Sequence, residues 1–169
     1  KTGTQSRPGE QQKQEGHHML PAYFKLTIKN SGDNQLDFST DGANNTFTVK
    51  GYGVKLDGTF GAQETLFADP TADLASNAFL DAASEINNSS NQYIGYWCTA
   101  ELLTDANDAD GQVDIFLQWS NDKAAAATYV SDAGDYDGDQ DLVFVGQVRH
   151  TATASEDRHS NFFLTAPIA

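Results

Sequence analysis

The chain has 169 residues, enough for one domain with a core of its own or for a domain carrying an arm. Only 38% of them are hydrophobic, too few for a thick helical core, while Gly, Asn, Asp, Ser and Thr are frequent, a balance that favours short strands joined by turns. A formal net charge of −14 argues against binding nucleic acid through the body of the fold, and no apolar run approaches the ~20 residues of a membrane-spanning helix.

The charge is uneven. Residues 1–29 hold Lys1, Arg7, Lys13, Lys25 and Lys29 against Glu10 and Glu15, a net of +3 that leaves −17 on the remainder. Residues 1–20 are rich in Gln, Lys, Gly and Glu, with almost no apolar side chain before Met19 and Leu20. Such a segment cannot offset its ordering entropy by burial, so it reads as an extended basic arm that takes shape on a partner. The folded domain is expected over 21–169.

From Tyr23 to Lys29 the chain alternates, with Phe24, Leu26 and Ile28 on one face of a strand. Leu36 to Phe38 is a short strand candidate, and Thr46 to Lys50 is another strand. Gly51-Tyr52-Gly53 permits a sharp bend, and Val54 and Leu56 lead into the hairpin signal Asp57-Gly58. Gln63 to Ala68 is a strand closed by Asp69-Pro70. Thr71 to Ala83 fits a helical turn or a strand near Ala78–Leu80. The polar turn Asn87 to Asn91 follows.

Tyr93 to Trp119 reads as the centre of the fold. Ile94, Tyr96, Cys98, Ala100 and Leu102 form one inner face, and Val113, Ile115, Leu117 and Trp119 another. The acidic turn Thr104 to Gly111 between them predicts an antiparallel pair at the middle of one sheet. Ala124 to Ala127 is too short for a stable helix and reads as a loop. Leu142 to His150 is a strongly apolar strand, with its two faces expected to be covered. Ser155 to Arg158 turns the chain, and Phe162 to Leu164 is the last strand candidate. Strands every ~8–15 residues with turn signals between them specify an all-β antiparallel sandwich or barrel.

Chemistry is sparse. A single Cys excludes an internal disulfide, and no Cys/His spacing matches a structural zinc site. Aligning Asp105–Gly111 or Asp132–Asp141 with a twelve-residue calcium loop places Ala106 or Ala133 first and Leu117 or Phe144 at the closing Glu position, so these acidic turns read as solvated. His150 and His159 lie near the C-terminal strands, but no G-x-S-x-G elbow, phosphate-binding glycine loop or dinucleotide fingerprint accompanies them. Cys98 sits on an apolar strand face and reads as packing. No catalytic, cofactor-binding or metal-ligating residue is assigned. Tyr96, Trp97, Trp119, Tyr129 and Tyr136 keep a sugar-binding face open as an alternative.

A series of short pieces carries a family likeness. Leu74-Ala75-Ser76-Asn77-Ala78-Phe79 is followed by Ser84 to Asn91, a strand with a central Glu101, Gly111-Gln112-Val113-Asp114-Ile115-Phe116-Leu117, and Leu142-Val143-Phe144-Val145-Gly146. The order resembles that of small virion structural proteins of tailed bacteriophages over residues 64–169. The resemblance implies a jelly-roll-like sandwich acting as a capsid decoration or cement protein, a non-enzymatic component at the capsid surface of the virion. A tail, neck or baseplate position is the alternative site. Its expected partners are the major capsid protein or other virion subunits and further copies of itself, with no nucleic acid, membrane or cofactor. In that setting Arg7, Lys13, Lys25 and Lys29 are expected to make electrostatic contact, with Met19, Leu20 and Tyr23 as apolar anchors.

Overall fold

A computed structural model describes residues 20–38, 45–104, 111–120, 142–150 and 156–165. The chain is an all-β sandwich of two antiparallel sheets. Among the described residues the strands are β1 (Tyr23–Asn30), β2 (Thr46–Val54), β3 (Phe60–Phe67), β4 (Phe79–Asp81), β5 (Ile86–Asn87), β6 (Gly95–Thr104), β7 (Gly111–Ser120), β8 (Val143–His150) and β9 (Glu156–Thr165). Sheet 1 runs β4-β1-β7-β8, with β5 also paired to β1. Sheet 2 runs β3-β2-β6-β9.

The period-2 pattern translates directly into burial. Phe24, Leu26 and Ile28 of β1 and Val113, Ile115 and Leu117 of β7 are fully buried, and so are Tyr96, Cys98, Ala100 and Leu102 of β6. Each large apolar side chain removed from water in this way contributes about 1.5–3 kcal/mol before entropy is counted. Rings interlock between the sheets: Phe24 meets Tyr96 edge to face at 5.8 Å, and Tyr96 meets Tyr93 at 5.3 Å.

The sheet assignment of the central strands differs from expectation. β6 and β7 are not a hairpin in one sheet. β6 pairs with β2 and β9, and β7 pairs with β1 and β8. Alternation specifies which side chains face the core, and both strands obey it from opposite sides of the same core. It carries no information about which neighbour supplies the hydrogen bonds. A six-residue link between β6 and β7 can reach ~20 Å against the ~10 Å between packed sheets, so nearness in sequence does not force the two strands into one sheet.

Three further expectations are corrected. β2 continues through Gly51-Tyr52-Gly53, because these glycines give clearance instead of a bend: a Cβ on Gly53 would lie 2.3 Å from the Tyr93 ring. Glu156 to Arg158 belongs to β9, where Asp157 pairs with Leu103 and Arg158 with Leu102, so long-range pairing overrides the local turn signal. β8 is not covered on both faces, since Phe144 is 54% exposed. Between Thr71 and Ala83 the extended alternative is the one formed, as β4. The Asp57-Gly58 hairpin is present, with Gly58 at φ 81° and Asp57 Oδ1 accepting from the Thr59 N–H at 2.9 Å.

Two buried asparagines tie down connections. Asn88 Oδ1 accepts from the Tyr93 N–H at 2.8 Å, and its Nδ2 donates to the carbonyls of Tyr93 and Leu20 at 3.0 and 3.4 Å. Asn30 Nδ2 donates to the carbonyls of Asn34 and Leu74, while its Oδ1 accepts from Gly32 N–H. Leu36 forms a single bridge with Leu74, and the two close one part of the core.

Candidate functional site

The residues expected to contact a partner are dispersed. Arg7, Lys13 and Met19, the arm before residue 20, the acidic turns 105–110 and 132–141, the Ala124–Ala127 loop, and Tyr129 and Tyr136 lie outside the described residues. Leu20 is 3% exposed and belongs to the core, so it is no surface anchor; its carbonyl is held by Asn88. Tyr23 is half-buried at the start of β1. Lys25 Nζ is 2.5 Å from Asp81 Oδ2, in a network where Thr27 Oγ1 and Gln118 Nε2 also donate to Asp81. Lys29 lies 5.1 Å above the Phe79 ring. Both lysines are thus engaged within their own sheet.

The outer face of sheet 2 gathers what sequence reasoning missed. Tyr52 of β2 pairs with Trp97 of β6, which pairs with Phe163 of β9. All three point away from the core, and they are 43%, 55% and 41% exposed. The Trp97 and Phe163 rings stand 5.8 Å apart at 47°. Phe163 leans over Gly95, where an added Cβ would lie 2.5 Å from its ring tip, so glycine there seats the aromatic against bare backbone. The next row holds Lys50, Thr99 and Asn161, with Thr99 Oγ1 bonded to Asn161 Oδ1 at 2.7 Å. The row beyond holds Thr48, Glu101 and His159. Trp97 is the one member of the aromatic row that composition singled out. Tyr52 and Phe163 join it only through pairings distant in sequence.

Other features offer less. A cleft of about 210 Å³ is lined by Phe67, Pro70, Leu80 and neighbouring residues. Its carboxylates are committed, Asp69 to the Phe47 N–H at 2.9 Å and Asp81 to Lys25 and Thr27. Cys98 is fully buried, and burial pushes its thiol up to about 12, which removes it as a nucleophile at neutral pH. Burial, reinforced by the nearby Glu64 charge, raises the Tyr96 phenol well above its ordinary range; its hydroxyl donates to Glu64 at 3.2 Å. Comparison with protein-family models, curated proteins and solved structures returns no match.

Proposed function

We propose that this chain is a non-enzymatic structural protein of a tailed-phage virion, a decoration or cement subunit that attaches through the outer face of sheet 2. The observation that carries the reading is the exposed row Tyr52–Trp97–Phe163. Aromatics clustered across three neighbouring strands on a solvent-facing sheet surface have the character of interface anchors. The virion setting is supported by the resemblance over residues 64–169 and by the all-β sandwich that the resemblance implies. The engagement of Lys25 and Lys29 within sheet 1 moves the weight of attachment from these lysines to the aromatic face. Copies on a lattice would add weak contacts into strong attachment.

The test is to count copies per particle and repeat the count with Trp97→Ala. Hundreds of copies, reduced several-fold by the substitution, support the shell assignment. A dozen or fewer move the protein to the tail, neck or baseplate, and absence from purified particles removes the virion reading. The same row favours a second reading, a carbohydrate-binding module, because Trp97 is flanked by the polar Thr99–Asn161 pair that could meet sugar hydroxyls. Glycan-array binding abolished by Trp97→Ala would establish it in place of the first. The side chain of Trp119, the other tryptophan, is outside the described residues.

A further inference from the structure

We infer that Glu101, Asp157 and His159 form a divalent transition-metal site on the outer face of sheet 2, of the class that accepts Zn²⁺. Glu101 on β6 pairs directly with His159 on β9. Asp157 lies two residues before His159 on the same strand and therefore shares its face. One donor atom from each comes within 4.8 Å of the other two, and His159 Nε2 is 3.1 Å from Asp157 Oδ1.

The spacing suits a small cation. Ligands ~2.0–2.2 Å from a tetrahedral zinc ion sit ~3.4 Å from one another. The Asp157–His159 pair is already near that separation, and the Glu101 carboxylate, within 4.8 Å of both, is the ligand left to draw in. The backbone beneath is fixed, because β6 and β9 pair without a break from Gly95↔Thr165 to Thr104↔Glu156. The donor set selects the metal class: one imidazole with two carboxylates suits zinc and its neighbours, whereas calcium and magnesium seek six or more oxygens. Asp157 and His159 are about half exposed, so the fourth corner faces solvent and can take water or a donor from a bound partner. Arg158 lies between the two β9 ligands but, by strand alternation, on the opposite face, and Lys50 sits one row away opposite Thr99. The strongly acidic chain favours cation capture overall.

The assignment is independent of the aromatic row and of the virion reading. The plain competing account is a His–Asp hydrogen bond beside a solvated Glu101, which gives no zinc affinity. The experiment titrates ZnCl₂, with calorimetric detection, into the full chain carrying His17→Ala, His18→Ala and His150→Ala, which leaves His159 as the one imidazole of the four in the sequence. The expected result is one site per chain, weakened at least about tenfold by His159→Ala and, separately, by Glu101→Gln. Co²⁺ loaded in place of zinc should show the intense visible absorption of tetrahedral coordination, lost in the His159→Ala chain. No binding, or binding unchanged by both substitutions and therefore due to other carboxylates, overturns the assignment.

Discussion

Trp97 on β6 and Phe163 on β9 stand directly opposite each other on the solvent side of sheet 2, their ring centroids 5.8 Å apart. Much of each ring remains exposed, so the pair adds little to the core. Trp97→Ala is expected to lower stability by no more than about 1 kcal/mol, the scale of an exposed aromatic pair. Urea unfolding of the two proteins checks this, and a drop above about 3 kcal/mol would place the row in the folding core instead of on a binding face.

Cys98 should resist thiol reagents in the native state and react once the chain is unfolded. The same burial makes stability depend on alkaline pH. The folded thiol is pushed up to about 12 from an ordinary value near 9.0, so its contribution is complete below pH 9 and lost as pH rises toward 12. Tyr96 shifts in the same direction and adds to the loss at higher pH. Between pH 8 and 10.5 ionisation of Cys98 alone should remove about 2 kcal/mol. Urea melts at the two values measure it, and Cys98→Ala should flatten the slope.

Asn88 satisfies both backbone groups of Tyr93 and the carbonyl of Leu20. Asn88→Ala leaves these groups without that partner in a buried setting, at a cost of about 2–4 kcal/mol. Asn88→Asp keeps the acceptor for the Tyr93 N–H but replaces the donor with an oxygen facing the Leu20 and Tyr93 carbonyls in a buried site, so it should cost at least as much. Urea unfolding measures both, and a clearly smaller loss in Asn88→Asp would show that the donated hydrogen bonds contribute little.

Gly53→Ala should cost about 1–3 kcal/mol, because its methyl group would overlap the Tyr93 ring. Pairing it with Tyr93→Leu tests the cause. The two effects should couple by more than about 0.5 kcal/mol in a double-mutant cycle, and simple additivity would reject the clash.

The inner faces of β1, β6 and β7 were legible because each strand carries its own alternation, and Phe24, Leu26, Ile28, Tyr96, Cys98, Ala100 and Leu102 are buried as the pattern predicts. The partner of each strand was not legible. β6 and β7 are neighbours in the chain and lie in different sheets, a choice made by hydrogen bonding to strands far away. Asn30 and Asn88 look like turn residues, and their burial depends on carbonyls that come near only after folding. The candidate sites were hidden for the same reason. Trp97 and Glu101 stand out locally, but Tyr52, Phe163, Asp157 and His159 reach them only through the β2–β6 and β6–β9 pairings. Leu20 was misplaced because a lone apolar residue at the end of a polar segment carries no period to show which way it turns.

The interleaved pairing also governs how the molecule comes into being. β1 finds its long partner only in β7, and β6 completes its ladder only with β9. During synthesis β1 therefore emerges well before the strand it must join, with Phe24, Leu26 and Ile28 unshielded in the interval. Such an order favours slow closure and engagement by chaperones while translation continues. A stalled product released before β9 would keep one side of β6 open and be a natural seed for aggregation.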